Sequence, residues 1–137
     1  KKDSVIEELN LDSVSRDSAK LHSKYLEILS VNRLRVKKFD MDFKILLKNK
    51  WLWYNGKLTK AEMDELGWGY DPLKGLTVLK SDMDRFYDAD PEIQAAQAHI
   101  DFLKEQNDTL KEIIDMIKWR HQSIKNAIDW AKFTSGM

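Results

Sequence analysis

Between Arg33 and Lys60 the chain carries nine lysines and arginines, and inside that block three large rings sit among cations: Lys48-Asn49-Lys50-Trp51-Leu52-Trp53-Tyr54-Asn55-Gly56-Lys57. Ammonium and guanidinium groups neutralise phosphates, and flat rings stack on unpaired bases whatever the base is. This combination suits a single strand held without reading its sequence. The candidate contacts are Arg33, Arg35, Lys37, Lys38, Lys44, Lys48, Lys50, Trp51, Trp53, Tyr54 and Lys57. No base-reading motif accompanies them. The competing reading takes the rings as core that closes the end of a helical bundle.

Other chemistry has little support. His22, His99 and His121 lie far apart, and none stands in a metal-ligand spacing. There is no glycine-rich phosphate loop, nucleophile elbow or Walker-type lysine. No cysteine is present, which excludes disulfides and thiolate sites and suits a reducing cytoplasm. Asp82, Asp84, Asp88 and Asp90 form an acidic cluster that could take a divalent cation, but helix capping accounts for much of it. No catalytic residue, metal or cofactor is therefore expected, and the chain does not read as an enzyme. Lys1-Lys2-Asp3-Ser4 leads into a mixed charged stretch, so no signal peptide is expected. The longest aliphatic run, Ile45-Leu46-Leu47, is far short of the ~20 residues of a membrane span.

The elements that must position the basic stretch are helices. The 137 residues are 34% charged, with five glycines and two prolines, the composition of long solvated helices. The formal charge is zero but segregated. Residues 1–60 carry 14 basic and 8 acidic groups, residues 61–117 carry 5 and 14, and residues 118–137 carry 4 and 1. A basic block beside an acidic one suits subunits that dock head to tail, or an acidic segment that shields the basic one.

Residues 1–17 are polar with scattered aliphatics and predict a mobile arm with one helical turn. Asp17 or Ser18 can cap a long helix running to residue 53. Leu21, Tyr25, Ile28, Val36, Phe39, Phe43 and Leu46 make one apolar stripe, and Val31, Leu34, Met41 and Ile45 a second. Two stripes imply burial on two sides, hence neighbouring subunits. Asn55-Gly56 is a turn, Thr59-Lys60-Ala61-Glu62 a capping box, and Gly67 the C′ residue of the short helix between. Leu73–Leu79 is ambiguous between extended and irregular backbone. Ser81-Asp82 predicts a second short helix through Tyr87. Asp90-Pro91-Glu92 predicts a strong helix start.

Beyond it lies the cleanest pattern. Ile93, Ala96, Ile100, Leu103, Asn107, Leu110, Ile114, Ile117, His121, Ile124, Ile128 and Ala131 follow at alternating spacings of three and four. This is a heptad seam whose polar members, Asn107 and His121, can fix register. Lys118–Ser123 could instead kink and turn His121 to water. The expected fold is all-α: long helices with two short helices between them and a coiled-coil-like C-terminal helix. The expected division is an arm (1–17), a DNA-binding region (18–89) and an oligomerisation region (90–137).

Leu47-Lys48-Asn49-Lys50…Tyr54-Asn55-Gly56-Lys57, Asp84-Arg85-Phe86…Ala89-Asp90 and Arg120…Ile124-Lys125-Asn126-Ala127-Ile128, in that order and spacing, resemble the UvsY recombination mediator family of T-even-type bacteriophages. The resemblance implies a non-enzymatic protein of the infected host's cytoplasm. It would bind single-stranded DNA, help displace the phage single-stranded-DNA-binding protein and load a RecA-like phage recombinase. The family's Leu-Lys-x-Arg/Lys motif falls on Leu47, Lys48 and Lys50, with Lys in place of the frequent Arg, which keeps charge but loses the planar fork. The resemblance also implies assembly into a ring, a homo-oligomer of six or seven subunits held by the C-terminal region, here Ile100, Leu103, Asn107, Leu110, Ile114, Ile117, Ile124 and Ile128. Two other readings compete: a structural or adaptor coiled coil, and a packaging-type ring that binds duplex DNA.

Overall fold

The computed structural model describes the backbone of residues 2–136 and the side chains of residues 12–136. Helix α1 spans Lys2–Tyr54, α2 Lys60–Leu66, α3 Met83–Ala89 and α4 Pro91–Ser135, with a single 3₁₀ turn, Lys80–Asp82, leading into α3. No strand occurs among the described residues, and Leu73–Leu79 is irregular. The all-α expectation stands.

Several boundaries follow from local chemistry. Thr59 and Glu62 close the capping box on each other's backbone N–H, and Gly67 ends α2 in the left-handed region at φ 74°. Asp90 caps α4 by accepting from the N–H groups of Glu92 (2.9 Å) and Ile93 (3.1 Å). Two expectations are corrected. Helix α1 starts at Lys2 rather than at residue 17 or 18, so the backbone of the expected arm is helical. Nothing in that stretch breaks a helix: it has no proline or glycine. Asp82 makes no side-chain capping bond to α3, which is entered through the 3₁₀ turn instead.

The chain forms two compact units, each built from parts of both long helices: Lys1–Leu34 with Lys104–Met137, and Arg35–Leu103. The division falls within α1 and α4. In the first unit the helices run antiparallel. Asn32 Nδ2 donates to Asn107 Oδ1 at 2.6 Å, with both residues buried. Farther along, Val14, Ser18 and Leu21 meet Ile117 and Arg120 around one groove. His22 and His121 line another, and His22 Nε2, His121 Nδ1 and Ser18 Oγ are buried with no hydrogen-bond partner. No break interrupts α4 at Lys118–Ser123, and His121 stays on the seam, half-buried.

Every member of the α4 seam is buried or half-buried inside the single chain. Its partner stripe on α1 is Ser18, His22, Tyr25, Leu29, Asn32, Val36, Phe39, Phe43, Leu46, Lys50 and Trp53, again at alternating threes and fours and again all buried or half-buried. The residues expected to hold subunits together thus pack largely against α1 of the same chain. Ile100, Leu103, Asn107, Ile114, Ile117 and Ile128 are buried within the chain itself, and Leu110 and Ile124 are half-buried. The physical reason is that α1 reaches back to residue 2 and so has the length to satisfy α4. The second α1 stripe, Val31, Leu34, Met41 and Ile45, is exposed throughout.

Candidate nucleic-acid interface

The candidate residues from Arg35 to Lys57 lie in the unit Arg35–Leu103, where Lys50 sits farthest from expectation. Its side chain is 3% exposed. Nζ lies 3.1 Å from Asp90 Oδ2 and 3.5 Å from Glu92 Oε1. It also lies 4.5 Å from the ring centre of Trp53 and 4.2 Å from that of Trp68. A cation between two indoles and two carboxylates has exchanged its water for a complete substitute set.

The same rings are tied at their polar edges. Trp53 Nε1 donates to the carbonyl of Gly69 (2.8 Å), Trp68 Nε1 to Glu92 Oε1 (2.8 Å) and the Tyr54 hydroxyl to Asp90 Oδ2 (2.7 Å). Trp53 packs on Tyr54 and Trp68, and Tyr54 on Phe86. The last turn of α1, the Gly67–Gly69 loop and the first turn of α4 are thereby joined through one cluster.

Electrostatics follow the geometry. Burial pushes the Asp90 carboxyl upward, but the Tyr54 hydroxyl, the Ile93 N–H and Lys50 outweigh it and hold it below its ordinary value. Burial, then the Asp90 hydrogen bond and the charges of Asp90 and Glu92, push the Tyr54 phenol well above its ordinary value. The Tyr70 phenol is raised by its hydrogen bond to Asp64, and Tyr87 by burial and then Asp84.

Three predicted contacts, Lys50, Trp53 and Tyr54, therefore face this cluster, Lys50 buried and the two rings half-buried. Sequence showed cations and rings but not which side of α1 faced inward. Trp68, Asp90 and Glu92 complete the cluster and were not among the candidates; the two tryptophans and the Asp90 cap were visible, their convergence was not.

The remaining candidates divide by position. Lys37, Lys44, Lys48 and Trp51 fall within about 60° of one another around α1 and span about 21 Å along it, at 100° and ~1.5 Å per residue. All four are exposed. Lys57, beyond the Gly56 turn (φ 67°), sets Nζ 4.6 Å from the ring centre of Trp51. This face lies on the side of α1 away from Lys50. Exposed Met41 sits among its cations. Lys38 is exposed on a neighbouring strip, Arg35 is exposed but lies about 140–180° around α1 from this face, and Arg33 is exposed in the other unit. The arrangement offers spaced charges for a phosphate chain and one accessible ring for a base.

A family model described as "Recombination, repair and ssDNA binding protein UvsY" matches residues 1–137, the whole chain. The chain belongs to the UvsY family. No curated protein and no solved structure matches it. Family membership carries recombination, repair and single-stranded-DNA binding as the class of function. Among the described residues, no helix is long and apolar enough to cross a membrane. No group of three or more His, Cys, Asp or Glu among them is placed to hold a metal ion. Asp90, one of the acidic cluster, is engaged with Lys50.

Proposed function

We propose that this UvsY-family protein is a recombination mediator that lays single-stranded DNA, without sequence preference, along the Lys37–Lys44–Lys48–Trp51–Lys57 face of α1. The observation that supports it is that these cations and this ring are exposed together while the neighbouring ring cluster is closed. The protein does no covalent chemistry. It works as a homo-oligomer of six or seven subunits in the cytoplasm of the infected host. There it helps displace the phage single-stranded-DNA-binding protein and loads a RecA-like phage recombinase.

Three or four cations bound to phosphates on one subunit dissociate readily at physiological salt. Repeating them around an assembly makes each further engagement intramolecular and raises the overall hold by orders of magnitude. The surfaces available for assembly lie outside the seam. Met116, Trp119, Trp130 and Phe133 share the face of α4 opposite its buried stripe, with Trp119 75% and Trp130 66% exposed. Glutamate at Trp119 and Trp130 should give single chains that stay folded and bind DNA far more weakly.

The direct test is fluorescence anisotropy on labelled oligo-dT over a salt series. Lys44→Ala with Lys48→Ala should weaken binding and reduce the log–log salt slope by about 0.7 for each phosphate no longer neutralised. An unchanged slope and affinity would remove this face from the mechanism. Tighter binding to duplex than to single strand would favour a packaging-type ring.

A further inference from the structure

We infer that Lys50, the second cation of the Leu47-Lys48-Asn49-Lys50 motif, is a positioning residue that supports the DNA-binding face from inside and does not touch DNA. The inference rests on the proposed function for the location of that face, and it reverses the role the motif alone suggests for this side chain.

Three observations carry it. The first is access. Lys50 is 2% exposed, and its ammonium is enclosed by Trp53, Trp68, Asp90 and Glu92. To reach a phosphate it would have to leave two carboxylates and two ring faces, stranding a buried Asp90 charge. The second is direction. Lys48 and Lys50 stand about 200° apart around the helix, so while Lys50 points into the unit, Lys48 points to solvent on the opposite side. A two-residue spacing reads as a two-pronged grip only on a strand or an unravelled end, and α1 remains helical through Tyr54. The third is connection. Lys50 is the charge that the Asp90 cap, the Trp68 loop and the α1 terminus share. That terminus carries Trp51 one residue away and Lys57 across the turn, and the turn is closed on the same helical end by Lys57 N–H donating to the Leu52 carbonyl at 2.8 Å.

The two roles separate under second-site rescue. Lys50→Met alone keeps an unbranched apolar stem, one atom shorter, but leaves Asp90 buried without its cation; it should unsettle the α1 terminus and weaken oligo-dT binding. Adding Asp90→Asn neutralises the stranded charge and should restore affinity to within about threefold of the unaltered protein, at an unaltered salt slope. No change at Asp90 can replace a cation that paired with phosphate. A double variant that stays weak, with a slope lower by about 0.7, would therefore assign Lys50 to the DNA and overturn the inference. Unaltered binding by Lys50→Met alone would also overturn it, since nothing would then be positioned.

Should either variant fail to fold, amine labelling of the unaltered oligomer followed by peptide mass spectrometry decides. Lys44 and Lys48 should label quickly in the free protein and be shielded by oligo-dT, with Lys50 slow in both states. A Lys50 that labels as fast as Lys48 and is then shielded by DNA refutes the positioning role. If instead no lysine is shielded, it is the proposed DNA face that fails, and slow labelling of Lys50 still reports its enclosure.

Discussion

Replacing Asp90 by alanine tests whether one carboxylate organises the unit Arg35–Leu103. Asp90 Oδ1 accepts two backbone N–H groups at the start of α4, while Oδ2 meets the Lys50 ammonium and the Tyr54 hydroxyl. Loss of an N-cap costs about 1 kcal/mol. An orphaned Tyr54 hydroxyl adds about 1 kcal/mol, the low end of the range because the residue is only half-buried. Breaking a buried ion pair from one side costs about 3–5 kcal/mol, moderated here by Glu92, which stays 3.5 Å from Lys50. These contributions share one side chain and do not simply add; about 4 kcal/mol is expected. That is a large share of the roughly 5–15 kcal/mol typical of a folded domain. Urea unfolding followed by tryptophan emission is the assay, since Trp53 and Trp68 both touch Lys50. Asp90→Ser, which retains a capping oxygen, should recover about 1 kcal/mol of the loss. The Asp90 carboxyl is held below its ordinary value, so its stabilising effect is full above the unfolded value of about 3.9 and is lost as pH falls through the lower folded value. The gap between unaltered protein and Asp90→Asn should accordingly close below about pH 4. A loss under about 1.5 kcal/mol for Asp90→Ala, no larger than the cap alone, would refute the cluster as the organiser of this unit.

Three further outcomes are expected. Asn32→Ala and Asn107→Ala should each destabilise by about 1–3 kcal/mol in thermal unfolding, and the double variant should lose less than the sum, by about 0.5–1.5 kcal/mol; strict additivity would deny their coupling. Ser18→Ala removes a buried hydroxyl that has no partner and should stabilise by up to about 1 kcal/mol in the same measurement, so a marked loss would expose a missed bond. The Tyr54 phenol is raised in the folded state; the stability it contributes is present below about pH 10 and lost as pH climbs above it. Alkaline unfolding should thus be shallower in Tyr54→Phe, and a phenolate titration that shows all four tyrosines ionising together near the ordinary value would contradict the burial.

Much of this protein was legible from its residues in order. Low glycine and proline content pointed to an all-α chain. Local chemistry at Thr59–Glu62, Gly67 and Asp90-Pro91 set the boundaries of α2 and the start of α4, because caps and turns are decided by neighbours a few residues away. The α4 seam was legible because ten of its twelve members are apolar. Its partner stripe on α1 was only half legible, because Ser18, His22, Asn32 and Lys50 interrupt it with polar side chains, whereas the exposed Val31, Leu34, Met41 and Ile45 imitate one. Those polar positions make sense only against what the fold brings opposite them. Asn32 meets Asn107, His22 shares a groove with His121, and Lys50 meets Asp90.

Which lysines and rings face water was settled by folding and by nothing earlier. Charge and aromatic character are carried by the residue, but desolvation and pairing depend on partners 36 to 40 residues away, as with Tyr54 and Asp90 or Lys50 and Asp90. For the same reason a cation that looked like half of a DNA grip lies closed inside the protein, while its neighbour two positions earlier remains free to meet a phosphate.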